Sequence, residues 1–160
     1  MKVYDKKLGK IVLISLLVVT AIAILDILSM ASGSLGTPQQ YTLGDFAIKN
    51  WWNLFFSFTI VIIILSSVVY YILKKDLSES IAIALCSFSL YMFGVADILY
   101  FWLRGLSVPN ALPWLSGNPY ISTVSNLFGF CSVTNIALFF SAIIGIIWVY
   151  IIAFILERYF

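Results

Sequence analysis

The chain has 160 residues, of which 62% are hydrophobic and only 10% are charged, and its formal net charge is +2. Its mean hydropathy is +1.07. Soluble domains carry roughly 25% charged residues, so this composition excludes an ordinary soluble domain. The chain contains no histidine, which excludes the usual histidine-based zinc, haem and acid–base sites. Its basic residues form no face suited to nucleic acid.

Four apolar runs are long enough to cross a bilayer as helices, since a span needs about 20 residues. In lipid only helices or closed barrels satisfy the backbone, and the runs lack the alternation that a barrel requires. The sequence therefore predicts an all-α membrane protein, a four-transmembrane-helix antiparallel bundle forming one domain over residues 1–160. The first run is too long for the apolar core of a signal peptide, which favours a retained span. The predicted spans are residues 11–31, 51–73, 80–103 and 132–156.

Two longer connections, residues 32–50 and 105–130, are predicted on the same side of the bundle. The second contains Asn118-Pro119, which is typical of a helix N-cap followed by proline at the first helical position. A helix from there to Tyr159 would be roughly 60 Å long, twice the hydrocarbon thickness, so it must be interrupted. We therefore predict a short interfacial or re-entrant helix over residues 119–129 before the last span. Ser78 is the predicted N-cap of the third span.

The distribution of basic residues predicts the orientation. Cytoplasmic connections of membrane proteins carry an excess of Lys and Arg. One side of the predicted bundle holds both termini and most of these residues, whereas the opposite side has only Lys49 and Arg104. The sequence thus predicts a multi-pass protein of the cell membrane with both termini in the cytoplasm. The basic residues on the cytoplasmic side are Lys2, Lys6, Lys7, Lys10, Lys74, Lys75 and Arg158.

Asp26 and Asp97 are the acidic residues that fall inside apolar spans. A charge in a span is costly and is therefore a candidate for function. If both spans are straight, a rise of 1.5 Å per residue places both carboxylates about 24 to 27 Å from the cytoplasmic boundary. The pair is expected at one level, near the outer surface.

Three further polar residues, Arg104, Asn126 and Asn135, are expected at the same end. With the two aspartates they form the candidate polar cluster, which would line an outward-facing cavity. Two interpretations are open. The aspartates either fix helix register through interhelical hydrogen bonds or form a proton, ion or ligand site, and Asp97 pairs either with Arg104 or with another helix.

The aromatic residues Trp51, Trp52, Trp102 and Trp114 are predicted interfacial anchors, because tryptophan concentrates where lipid meets water. Cys86 and Cys131 lie among apolar residues without metal-binding spacing, and buried small side chains are favoured over a disulfide. No metal site, cofactor or catalytic residue is predicted.

These features favour a non-catalytic accessory or structural subunit of a larger membrane complex, in contact with membrane lipids and with other membrane subunits or further copies of itself. The alternative is a lipid or small apolar-ligand binding protein, or a small membrane enzyme, with its cavity around Asp97 and Asp26. An ion or proton pathway formed by an oligomer is a weaker alternative, because the cytoplasmic halves of the spans hold few polar residues.

Overall fold

The computed structural model describes residues 2–31 and 45–159, with side chains for residues 7–29 and 55–156. Within these ranges the chain is helical and contains no β-strand, as the apolar runs predict. The helices are α1 (Lys2–Ala31), α2 (Asp45–Lys74), α3 (Leu77–Met92), α4 (Val95–Leu103), α5 (Pro119–Leu127) and α6 (Asn135–Tyr159), with a 3-10 turn at Pro113–Leu115.

Three stretches, Lys7–Ser29, Phe55–Lys74 and Asn135–Leu156, are long and apolar enough to cross a membrane. A fourth is the pair α3 and α4, if the two count as one span. Most of the first long connection, residues 32–44, lies outside the described residues. Helix α2 begins at Asp45, before the predicted start of the second span at residue 51, whereas its apolar stretch is Phe55–Lys74.

Helix α3 lies at the centre and packs against α1, α2 and α6. It runs parallel to α1 and antiparallel to α2 and α6, because residues further along α3 meet later residues of α1 but earlier residues of the other two. The contacts that give these directions are Lys10–Glu79 and Ser15–Ile83 for α1, Tyr70–Glu79 and Phe56–Tyr91 for α2, and Ser78–Leu156 and Cys86–Val149 for α6.

The predicted third span is wrong as a single helix over residues 80–103. It is divided into α3 and α4, whose axes differ by 69°. The break lies at Phe93 and Gly94, where Gly94 has a φ of 82°, a conformation that glycine adopts without steric cost. The Gly94 backbone lies against the side chains of Leu138 and Ile121, and Phe93 packs on Gly145 of α6, so a Cβ at either glycine would require a neighbouring side chain to move. The bend is therefore closely packed on α5 and α6.

The short helix α5 is confirmed at the predicted position, with its predicted N-cap. The side-chain oxygen of Asn118 accepts hydrogen bonds from the backbone N–H of Tyr120 at 3.0 Å and of Ile121 at 3.3 Å. The side-chain nitrogen of Asn118 donates to the carbonyl of Met92 at 2.9 Å. One side chain therefore caps α5 and satisfies a carbonyl that the end of α3 leaves free.

The predicted N-cap of the third span is wrong by two residues. Asp76, and not Ser78, caps α3, since its carboxylate accepts the backbone N–H of Glu79 at 3.0 Å. The Ser78 hydroxyl donates instead to the carbonyl of Leu156 on α6, at 3.4 Å. This leaves Glu79 in the first turn of α3, where it is close to α1 and α2.

Candidate functional site

The structure brings Asp26 of α1 and Asp97 of α4, the acid pair, close enough to interact electrostatically. The Tyr91 side chain of α3 interacts with both carboxylates and lies beside the Thr59 hydroxyl of α2. Both aspartates are partly buried, whereas Thr59 is only 1% exposed. These side chains come from four helices, and we call them the acid-pair cluster (Asp26, Thr59, Tyr91 and Asp97).

The bend at Gly94 sets the local environment of Asp97. Because the chain turns by 69° only after Met92, the depth predicted for Asp97 from a straight third span changes little. Asp97 lies in the first turn of α4, which packs against α1. A carboxylate is favoured there by the N–H groups and the dipole at the start of the helix. The break was not predicted, and it gives Asp97 a local stabilisation that a continuous span would lack.

Arg104 does not join the acid pair. Its side chain is exposed, donates a hydrogen bond to the hydroxyl of Tyr100 at 2.6 Å, and lies 5.5 Å from the centre of the Tyr100 ring. Among the described side chains the ion pairs involve Glu79 and not Asp97. Of the two partners considered for Asp97, Arg104 is therefore not the one used.

Asn126 and Asn135 are also separate from the acid pair. Asn126 is exposed near the end of α5. Asn135 begins α6, where its side-chain nitrogen donates to the side-chain oxygen of Asn110 at 3.2 Å. Its own side-chain oxygen accepts the backbone N–H of Ile136 at 2.8 Å. Asn135 thus joins the loop before α5 to the start of α6. The five predicted cluster residues therefore do not form a single site.

The predicted aromatic anchors have different environments. Trp102 is 72% exposed, at the end of α4. Trp114 is partly buried and packs against a core that includes Leu112 and Leu115. The side chains of Trp51 and Trp52 lie outside the described residues. An interfacial position for these residues stays a prediction.

A second polar cluster, at the other end of the bundle, was missed by sequence analysis. The Glu79 carboxylate is 5% exposed, yet one of its oxygens is 2.6 Å from the Lys10 ammonium and also accepts a hydrogen bond from the Tyr70 hydroxyl. The other oxygen lies 3.7 Å from the Lys7 ammonium. This inner ionic cluster (Lys7, Lys10, Tyr70 and Glu79) joins α1, α2 and α3. The available signal was that Glu79 and the two lysines begin two spans on the same predicted side.

The two cysteines differ from the prediction in part. Cys86 is buried, with its thiol 3.7 Å from the carbonyl of Val149. Cys131 is exposed and not buried, since it lies in the connection between α5 and α6. The two thiols are free, so no disulfide links them.

In chemical terms the acid-pair cluster offers oxygen donors and negative charge, and the inner ionic cluster is already neutralised by its own lysines. No group of three or more Cys, Asp or Glu side chains suited to a metal ion occurs in the part of the chain that the structure describes. Comparisons with protein-family models, with curated proteins and with solved structures find no match to this chain.

Proposed function

We propose that this chain is a small multi-pass protein of the cell membrane, a four-span antiparallel bundle that serves as a non-catalytic accessory or structural subunit of a larger membrane complex. Both termini are cytoplasmic in this proposal. It is supported by three helices and one bent pair of sufficient length and apolarity, and by the basic residues concentrated at one end of the bundle.

The orientation can be tested with the native cysteines. Cys131 is exposed in the connection between α5 and α6, which the proposal places outside the cell, whereas Cys86 is buried and serves as an internal control. A membrane-impermeant maleimide added to intact cells is expected to label the native protein and to leave the Cys131→Ser variant unlabelled. Labelling that requires permeabilised cells would reverse the proposed orientation.

The observation that favours a subunit role is the sparse covering of α2. Only 17% of its span is buried within the chain, against 39% for α1 and 33% for α6. Lipid tails can cover such a face, but close packing of helices is what holds membrane assemblies together, and α2 has the most surface free for it. The exposed side chains of this α2 face are Phe58, Val61, Ile64, Leu65, Val68, Val69 and Ile72.

The subunit proposal is tested by photo-crosslinking in native membranes. A photoreactive amino acid replaces Leu65 on α2, which is 58% exposed, or Ile147 on α6, which is 56% exposed and serves as the matched control. We expect a discrete protein adduct of constant size from position 65, and mainly lipid adducts from position 147. The same partner should co-purify in constant ratio with the unmodified chain.

Two results would refute a subunit role. One is a strictly monomeric chain that co-purifies with lipid alone, and the other is equal crosslinking from both positions. An adduct between two copies of this chain would instead identify a homo-oligomer, the variant of the proposal in which the complex is made from one chain.

A second candidate function, binding of a small ligand or a small enzymatic activity, is favoured by the acid pair alone. Arg104, Asn126 and Asn135 have other surroundings and do not contribute polar groups to a cavity around it. An ion or proton pathway has less support still, because the apolar cluster of Val18, Ile22 and Ile63 separates the inner ionic cluster from the acid-pair cluster.

A further inference from the structure

The lysines of the inner ionic cluster carry more positive charge than its carboxylate neutralises. The Lys10 ammonium is 2.6 Å from one Glu79 oxygen, and the Lys7 ammonium is 3.7 Å from the other. One negative charge thus faces two positive charges. The excess is not cancelled nearby, because the described side chains at this end of the bundle hold more lysines than carboxylates. The lysines are Lys7, Lys10, Lys74 and Lys75, and the carboxylates are Asp76 and Glu79.

The Lys7 ammonium has donors free for a further partner. Its distance of 3.7 Å from Glu79 is longer than a hydrogen bond, and it donates no hydrogen bond within the part of the chain that the structure describes. An ammonium group has three donors, and about half of this side chain is exposed (51%). Lys10 is also partly exposed, whereas the Glu79 carboxylate is buried beneath both lysines. An anion from outside the chain can therefore reach the two ammonium groups without meeting the carboxylate.

The position of these lysines on α1 supplies a second observation. Lys7 is the first residue of the apolar stretch of α1, so it lies at the boundary of the span. Leu13 and Leu17 follow Lys7 and Lys10 at spacings of three or four residues, which places all four on one face of the helix. Both leucines are exposed (58% and 60%). This face presents two positive charges at its inner end and a strip of apolar surface above them.

We propose that this face of α1 binds one anionic phospholipid, with its phosphate group on Lys7 and Lys10 and an acyl chain along Leu13 and Leu17. A zwitterionic lipid has no net charge to match the excess of positive charge, and a soluble phosphate would make no contact with the leucines. Basic clusters next to membrane spans on the cytoplasmic side bind anionic lipids in this way. Such a site rests on the proposed membrane location and orientation of the chain, and it adds a defined lipid to them.

Three substitutions separate a lipid site from a general attraction to negative charge. Lys7→Gln removes one charge and leaves the contact between Lys10 and Glu79, so this variant is expected to fold. Lys7→Arg keeps the charge and the donors and is expected to bind the lipid as the native chain does. Lys75→Gln is the matched control, because it removes a lysine at the same end of the bundle whose ammonium lies elsewhere, 5.9 Å from the centre of the Tyr71 ring.

The experiment uses the purified full chain in phosphatidylcholine nanodiscs that contain an increasing fraction of phosphatidylglycerol, at physiological ionic strength. The Tm is recorded at each composition, and the composition at half of the total change gives the apparent affinity. We expect the Tm to rise by several degrees and to reach a plateau, because a bound lipid stabilises the folded state. Lys7→Gln should lower the affinity about tenfold or more, as expected for the loss of a hydrogen bond between charged groups. Lys75→Gln should lower it by at most about fivefold, the contribution of general attraction.

Three results would overturn the proposal. A Tm that does not depend on phosphatidylglycerol would mean that no anionic lipid is bound. Equal losses of affinity for Lys7→Gln and Lys75→Gln would indicate a diffuse attraction to the membrane surface. The same rise in Tm with inorganic phosphate in pure phosphatidylcholine nanodiscs would assign the lysines to a soluble anion. The first and third results are read on the native chain and require no variant to fold.

These results are independent of the tests of the proposed function. A nanodisc presents the same lipids on both sides and contains no partner subunit, so neither the orientation in the cell nor a missing partner changes the outcome. Loss of the lipid effect would leave the maleimide and photo-crosslinking results unchanged. A reversed orientation or a chain without a partner would likewise leave the lipid effect in place.

Discussion

Replacing Gly94 with alanine is expected to lower the free energy of unfolding by about 3 kcal/mol or more. The φ of 82° at this position costs an L-residue roughly 1 to 2 kcal/mol. The added Cβ would also overlap the Leu138 side chain and approach the Cδ1 atom of Ile121 to 3.0 Å. Overpacking of this kind costs typically about 1 to 3 kcal/mol. Unfolding of the purified protein by SDS in mixed micelles measures the effect.

Gly129 provides the matched control for the backbone part of this effect. Its φ is 73°, but a Cβ there would meet no atom within 4 Å. Gly129→Ala is therefore expected to cost only about 1 to 2 kcal/mol. The packing part is tested by combining Gly94→Ala with Leu138→Val, which shortens the overlapping side chain and should make the two losses less than additive. If Gly94→Ala costs no more than Gly129→Ala, the bend does not depend on close packing.

The helices themselves could be predicted because their signals are local. Apolar runs of sufficient length predict α1, α2 and α6, and the pair Asn118-Pro119 predicts the start of α5. The bend at Gly94 could not be predicted in this way. A single glycine in an apolar run is compatible with a continuous helix, and the side chains that pack against this one, Leu138 and Ile121, are remote in sequence.

The candidate site was predictable only in part. The acidic residues inside the spans identify Asp26 and Asp97, but the position of Asp97 in the first turn of α4 follows from the bend, which the sequence does not predict. Arg104 bonds to Tyr100 one turn earlier in the chain, whereas Asn135 bonds to Asn110, whose position follows from loop geometry that has no sequence signature. Polar side chains are satisfied by whichever partner the fold brings near, so composition alone cannot assign them to one cluster.

The inner ionic cluster could not be predicted from the sequence either. Its central residue, Glu79, has the pattern of an ordinary charge at a helix start. A carboxylate in the first turn of a helix is favourable without any partner, so the sequence gives no reason to expect a partner for Glu79. In the folded chain, however, Glu79 does have charged partners. Because α1 and α3 are parallel, the lysines at the start of α1 lie beside Glu79.

Replacing Lys10 with methionine is the second change for which a large effect is expected. Glu79 is 5% exposed, and this substitution removes the ammonium group 2.6 Å from its carboxylate. Breaking a fully buried ion pair from one side costs roughly 3 to 5 kcal/mol, but here only Glu79 is buried, because the Lys10 side chain is 41% exposed. The Lys7 ammonium at 3.7 Å and the Tyr70 hydroxyl remain, so we expect a loss of about 2 to 3 kcal/mol in the same SDS titration.

We do not expect Lys10→Met and Glu79→Gln to lower the stability by the same amount. Glu79→Gln removes the buried charge, keeps a group that can bond to the Tyr70 hydroxyl, and leaves Lys10 free to extend into water, since about two-fifths of its side chain is already exposed (41%). We therefore expect a loss of about 1 kcal/mol or less. The double variant Lys10→Met with Glu79→Gln should be more stable than Lys10→Met alone, because the uncompensated charge is gone. Lys74→Met, an exposed lysine of α2, is the control for the loss of a positive charge at this end of the bundle.

An equal loss for Lys10→Met and Glu79→Gln would contradict this asymmetry and would indicate an ordinary surface ion pair, which contributes about 1 kcal/mol or less.

The asymmetry also bears on how the bundle assembles. Glu79 contacts α1 through Lys10 and α2 through Tyr70, so a single carboxylate holds two helices against α3. If its neutralisation depends on Lys10, then Lys10→Met should weaken the packing of both helices together. Cysteine crosslinking between α2 and α3 in that variant would then fall along with crosslinking between α1 and α3.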